Sequence, residues 1–190
     1  THECFESLVA DLTDAAFVAR IAERLRSANA FVHCAGVMRA GKLGKLDHDA
    51  GDLMWRLHVQ AAESLADLMV PAMAARKRGR VVFIGSRVAS GMPGRGQYAA
   101  TKAALVAMAR SWAAECVADG VTINVVSPAA TETAMLHDPA RASSAPRLPP
   151  IGRLIRPGEI ASLVAYLLSP AADAITGQEI AICGGASLNR

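Results

Sequence analysis

Two apolar runs, Arg80-Val81-Val82-Phe83-Ile84 and Val121 to Val126, constrain the fold more than any other feature of the chain. Neither alternates polar with apolar residues. A run of this kind reads as a strand covered on both faces, which is the state of strands in a parallel sheet. Parallel neighbours cannot be joined by a hairpin and need a crossover of a dozen or more residues. The Ala-rich helical stretch from Tyr98 to about Asp119 is such a crossover.

The remaining segments repeat the alternation. Cys4 to Ala10 reads as a short strand, and Thr13 or Asp14 can cap a helix from Ala15 to about Ser27. Phe31 to Cys34 is a strand closed by Ala35-Gly36, where glycine permits close backbone approach. Leu43 to Leu46 is a linker. Asp47 or Asp49 opens a long helical segment to about Arg76, which Pro71 is expected to bend or interrupt. Residues Ala134 to Pro150 lack periodicity and read as a long loop or a pair of short helices, a length that in a compact domain often marks a lid. Pro157 suits a first helical position, and Glu179 to Ile182 is the last strand. The expected fold is α/β, a doubly wound parallel sheet with helices on both faces, in one domain spanning residues 1–190. Ligands of such sheets bind beyond the carboxyl ends of the strands. Asp11, the run Cys34-Ala35-Gly36, Ser86 and the run Pro128 to Thr133 all fall on that edge.

Composition narrows the function classes. Hydrophobic residues make up 52% of 190, enough for a single core. Arg76-Lys77-Arg78, the densest basic run, closes a helix where cations complement the dipole, so nothing resembles a nucleic-acid footprint. No apolar run reaches the roughly 18 residues of a membrane span. Cys4, Cys34, Cys116 and Cys183 are dispersed without C-x-x-C pairing. They read as buried free thiols in a reducing, cytoplasmic compartment and give no metal site.

The sharpest chemical signal is Tyr98-Ala99-Ala100-Thr101-Lys102. A spacing of four places Tyr98 and Lys102 one turn apart on one helix face. A free phenol has a pKa near 10, and a nearby ammonium favours its phenolate. Such a phenol can exchange a proton with a substrate oxygen. Taken alone, the pair also reads as an ordinary helix start with a solvated lysine.

Together the motifs resemble the short-chain dehydrogenase/reductase family over nearly the whole chain. They run in family order: Asp11-Leu12 after a strand; His33-Cys34-Ala35-Gly36 in place of Asn-Asn-Ala-Gly; Gly85-Ser86; Tyr98-x-x-x-Lys102; and Asn124-Val125-Val126-Ser127-Pro128. Thr133-x-Met135, Pro150-x-Gly152-Arg153 and Ile175-Thr176-Gly177-Gln178 ahead of Gly184-Gly185 complete the series. The resemblance implies a Rossmann-like fold and hydride transfer between NAD or NADP and a ketone or secondary alcohol. It makes Tyr98 the acid/base, Lys102 its pKa-lowering partner and ribose ligand, and Ser86 a hydrogen-bond donor to the substrate oxygen. It places Asp11 and Leu12 near the adenine, and Cys34, Ala35 and Gly36 beside the cofactor. Pro128, Ala129, Thr131 and Thr133 line the nicotinamide side, and residues 134–150 form the substrate lid. It also implies a homodimer or homotetramer.

The sequence departs from the family pattern in several places. The position of the usual Asn in the long helix, held there by a local kink, is His58, which could hold the same water, join the proton relay or only fill space. His33-Cys34 replaces an Asn pair. The Ser86-to-Tyr98 spacing is one residue short, and Ala129 stands where Gly is usual. The family's first two strands, first helix and Gly-rich pyrophosphate turn have no counterpart, so the sequence reads as part of a polypeptide about 50 residues longer by resemblance to the doubly wound order. An intact mass matching 190 residues would refute that reading. Two other readings stay open: a non-catalytic dinucleotide-sensing or scaffold protein of the same fold, and an inactive truncated product.

Overall fold

The computed structural model describes residues 5–138 and 147–188. Six α-helices are present among them: α1 (Ala15–Arg20), α2 (Ala22–Arg26), α3 (His48–Trp55), α4 (Ala61–Ala75), α5 (Gly96–Cys116) and α6 (Pro157–Leu168). The strands β1 (Ala30–His33), β2 (Gly79–Ile84), β3 (Val121–Pro128) and β4 (Glu179–Ile182) form one parallel sheet in that spatial order.

Successive side chains of a strand point to opposite faces. Val81, Phe83, Ile123 and Val125 enter one buried cluster, while Val82 and Val126 enter another. The first is covered by α4 and α5, through Leu65, Met69, Met73, Leu105 and Ala109. The second is covered by α6, through Leu163, Val164 and Leu167. Covering both faces is the physical reason that β2 and β3 read as unbroken apolar runs. The expected α/β parallel sheet with helices on both faces is the fold observed.

Three local expectations need correction. The strand expected over Cys4 to Ala10 is not formed: residues 5–10 are exposed and carry no strand assignment, and Cys4 lies outside the described residues. Val9 is 99% exposed. A strand exists only through a ladder partner, and among the described residues the sheet ends at β1. The expected helix from Ala15 to Ser27 divides at Ile21 into α1 and α2, with the Asp14 carboxylate capping the first by accepting from Ala16 N–H at 2.9 Å.

Pro71 does not interrupt its helix. It sits inside α4, whose Leu65, Met69 and Met73 hold the segment against the sheet, and such packing outweighs one missing N–H. The irregularity comes earlier, as a π-helical segment over Arg56–Gln60. Of the presumed lid, Ala134–His137 is a short 3-10 helix and residues 147–150 run irregularly. Residues 139–146 lie outside the described residues.

Candidate active site

Lys102 is carried by the second turn of α5 counted from the cap Arg95, on the face of the helix that meets the sheet. Its side chain is 4% exposed. Its Nζ donates to the carbonyl of Ile84, the last residue of β2, at 2.8 Å. Burial pulls the Lys102 pKa down to about 8. An ammonium has three donors, and one protein acceptor is recorded for this one among the described residues. A buried donor set of this kind fits ligand hydroxyls, such as those of a ribose. Nζ lies 5.9 Å from the centroid of the Tyr98 ring, so the spacing of four does place both groups on one face. Tyr98 is partly buried and its ring meets that of His58 edge-on, at 5.7 Å between centroids.

Ser86 lies two residues beyond the end of β2 and is 8% exposed. Its Oγ accepts from Val88 N–H at 3.2 Å and so caps the 3-10 turn Arg87–Ser90, against which α5 packs. That turn is how the shortened segment between Ser86 and Tyr98 is folded.

His58 is fully buried at the centre of the π-helical segment. A π turn inserts an extra residue and so re-aims the side chains within it. The imidazole reaches both neighbouring elements. Nε2 accepts from Val37 N–H at 3.0 Å, and Nδ1 lies 2.8 Å from Thr101 Oγ1. Burial, then the charge of Lys102, hold its pKa down at about 3. Gly36 lies against the same ring: a Cβ there would sit 3.0 Å from His58 Nε2 and 3.6 Å from Lys102 Nζ.

The other anticipated residues are spread around this centre. Of the cysteines expected to be buried, Cys116 is, whereas Cys34, at the strand end, is exposed and Cys183 is half-buried; Ala35 is half-buried. Ala129 extends the β3–β4 ladder, donating its N–H to Ile182 O at 3.2 Å. Thr131 Oγ1 donates back to Ala129 O at 2.9 Å, and Thr133 is exposed at the start of the 3-10 helix. Pro128 closes β3. Asp11 accepts both Thr13 N–H and Thr13 Oγ–H, at 2.9 and 2.7 Å, and Leu12 packs against the core. Leu12 and Thr13 also line a groove of about 830 Å³ between α1–α2 and α4, which includes neither Ser86, Tyr98 nor Lys102.

Some motifs prove to be braces. Asn124 Nδ2 donates to Ile175 O at 2.7 Å while its Oδ1 accepts from Gln178 N–H at 3.1 Å, so the Asn124 and Ile175–Gln178 motifs hold each other. Arg153 grips Glu159 through two bonds of 2.7 and 2.8 Å at the start of α6, which lowers the carboxyl pKa to about 2. Sequence reasoning passed over Thr101 as a site residue. Its direct proximity to Lys102 in the chain was the one available signal.

Comparison with known proteins identifies the family. A family model described as enoyl-(acyl carrier protein) reductase matches residues 6–187. A 3-oxoacyl-(acyl-carrier-protein) reductase of Salmonella typhimurium is 34% identical over 188 residues, covering 95% of this chain and 77% of the relative. A solved short chain dehydrogenase/reductase family protein superposes with a TM-score of 0.85 at 33% identity, over 94% of this chain and 75% of that one. A structure titled ribose-5-phosphate isomerase, from Brucella melitensis, superposes with a TM-score of 0.88 at 28% identity, over 94% and 73%. Names so different leave the substrate to be decided by chemistry. The family model over residues 6–187, the relatives and the parallel sheet lead to one assignment: the chain belongs to the short-chain dehydrogenase/reductase family.

Proposed function

We propose that this protein is an NAD(P)-dependent oxidoreductase that interconverts a ketone and a secondary alcohol. The observation that carries the reading is Lys102: a buried ammonium beside the Tyr98 ring, at the carboxyl end of β2, with donors beyond its bond to Ile84 O. A structural lysine has no need of such burial, which disfavours its charged form. The nicotinamide, when bound, supplies or accepts the hydride at the carbinol carbon. Lys102 would bond the cofactor ribose and, by its charge, favour the Tyr98 phenolate. In reduction Tyr98 would pass its phenolic proton to the carbonyl oxygen; in oxidation it would take the proton from the alcohol. Ser86, at the strand end, would orient that oxygen. Cys34, Ala35, Gly36, Pro128, Ala129, Thr131 and Thr133 would line the cofactor's course, with Asp11 and Leu12 toward its adenine end. Residues 134–150 would cover the substrate.

The 34% identity to a 3-oxoacyl-(acyl-carrier-protein) reductase makes 3-oxoacyl thioesters the first carbonyl class to try. The test is loss or gain of reduced-nicotinamide absorbance with NADH and NADPH across ketones, 3-oxoacyl thioesters and secondary alcohols. Turnover that Tyr98→Phe abolishes supports the mechanism. Turnover that Tyr98→Phe leaves intact overturns it, and cofactor binding without any turnover favours a sensing or scaffold role.

A further inference from the structure

His58 joins three parts of the site through hydrogen bonds whose directions are forced. A backbone amide only donates, so the 3.0 Å contact from Val37 N makes His58 Nε2 an acceptor carrying no proton. The ring proton therefore resides on Nδ1. Nδ1–H then donates to Thr101 Oγ1 at 2.8 Å. The Thr101 hydroxyl hydrogen is directed in turn to Tyr98 O, at 2.9 Å. Donors and acceptors alternate without conflict along the whole series, and the hydroxyl of Thr101 is needed both to receive and to give. His58 is fully buried and Thr101 is 2% exposed, so neither can exchange these partners for water.

From this geometry we infer that His58 and Thr101 are a pair of positioning residues. His58 is locked as the neutral Nδ1–H tautomer, holding the Gly36-Val37 backbone against the Tyr98–Lys102 turn, and it takes no part in proton transfer. The catalytic consequence rests on the oxidoreductase reading; the tautomer and the lock do not. Both ring nitrogens are committed, which leaves His58 no free atom to relay a proton. The groups facing the ring are Lys102, Tyr98 and His33, and the ammonium of Lys102 opposes a second positive charge there. The π-helical turn brings the ring within reach of Val37 and Thr101 together. The local result is that Gly36, in contact with the ring, is set next to Lys102 Nζ.

The test uses the full chain labelled with 15N-histidine, the His58 resonances being identified by their loss in His58→Gln. The expected spectrum shows a proton on Nδ1, none on Nε2, and no titration between pH 8 and pH 5.5. A proton on Nε2, or titration within that range, overturns the proposal whether or not any substrate is turned over. In the kinetic arm, Thr101→Val should lower kcat about tenfold, the loss of one hydrogen bond of typical net strength. KM should stay within about twofold and Thr101→Ser should restore kcat, as a residue that aligns the Tyr98–Lys102 turn without touching substrate requires. Wild-type kcat in Thr101→Val overturns the positioning role. A Thr101→Val protein that fails to fold leaves the decision to the ring spectrum and to Thr101→Ser, which must keep the wild-type tautomer.

Discussion

The Nζ of Lys102 donates to the carbonyl of Ile84 at 2.8 Å, tying the helix that carries Tyr98 to the carboxyl end of the central strand β2. A charge buried at the edge where ligands of this fold bind stabilises function at the expense of the fold.

Lys102→Met should therefore raise stability while removing activity. The folded pKa of about 8 lies below the unfolded value. Below about pH 8 both states carry the proton and the folded state bears the burial penalty, which is relieved as pH rises from 8 toward 10.4. Near pH 7 the penalty is roughly 3 kcal/mol. Urea unfolding should show a higher midpoint for Lys102→Met at pH 7, with the gain shrinking above pH 8, and kcat/KM should fall at least 100-fold. An unchanged or lowered midpoint contradicts this account of Lys102.

His33 should make the protein acid-sensitive. It is 2% exposed, packs against the rings of Phe31 and Phe83, and its Nε2 is buried with no hydrogen-bond partner among the described residues. Burial, then the charge of Lys102, bring its pKa down to about 4. The unfolded chain takes up a proton near pH 6.5 that the folded chain refuses until about pH 4, so stability is full above 6.5 and falls as pH drops between these values. The loss from this residue reaches roughly 3 kcal/mol at the lower end. His33→Phe, close in volume and set among aromatic rings, should roughly halve the fall in unfolding midpoint between pH 6.5 and pH 4, the remainder coming from His58, whose pKa is held at about 3. An equally steep fall would assign the acid sensitivity elsewhere.

Arg39 in the loop after β1 bonds Asp138 at 3.0 Å, across 99 residues of sequence. Both side chains are about one-third exposed, so the pair should add less than about 1 kcal/mol to stability. Its effect should appear in substrate binding, because Asp138 lies in the first part of the expected lid. Asp138→Asn should change KM severalfold with a melting temperature within about 2 °C of wild type, consistent with so small an energy. Equal KM values would dissociate this ion pair from the lid.

Asn124 is 1% exposed and makes two hydrogen bonds to the segment before β4. Asn124→Leu keeps the size and removes both, leaving buried backbone groups unpaired. The expected loss is about 2–4 kcal/mol by chemical denaturation. A loss below about 1 kcal/mol would mean that water or neighbouring groups take over those bonds.

The sequence by itself determined the parallel sheet, because strands covered on both faces leave a local record in unbroken apolar runs, as in Val81–Ile84 and Val121–Val126. It also determined that Tyr98 and Lys102 share a face, since helical spacing is a property of neighbours in the chain. The placing of Cys34 to Gly36, Ser86 and Pro128 to Thr133 at or just after the ends of strands was legible for the same reason, whereas Asp11 follows no strand. The tertiary structure decided the rest. Whether residues 5–10 pair depends on a partner strand, which no local propensity supplies. The π turn at Arg56–Gln60 lies where this segment and α3 pack against α5; the family resemblance placed a local kink at His58, whereas Pro71, the helix breaker visible in the residues themselves, pointed to the wrong place. Thr101 looked like one more small residue of an Ala-rich helix. Only the approach of His58, 43 residues earlier in the chain, gives its hydroxyl a donor to accept from.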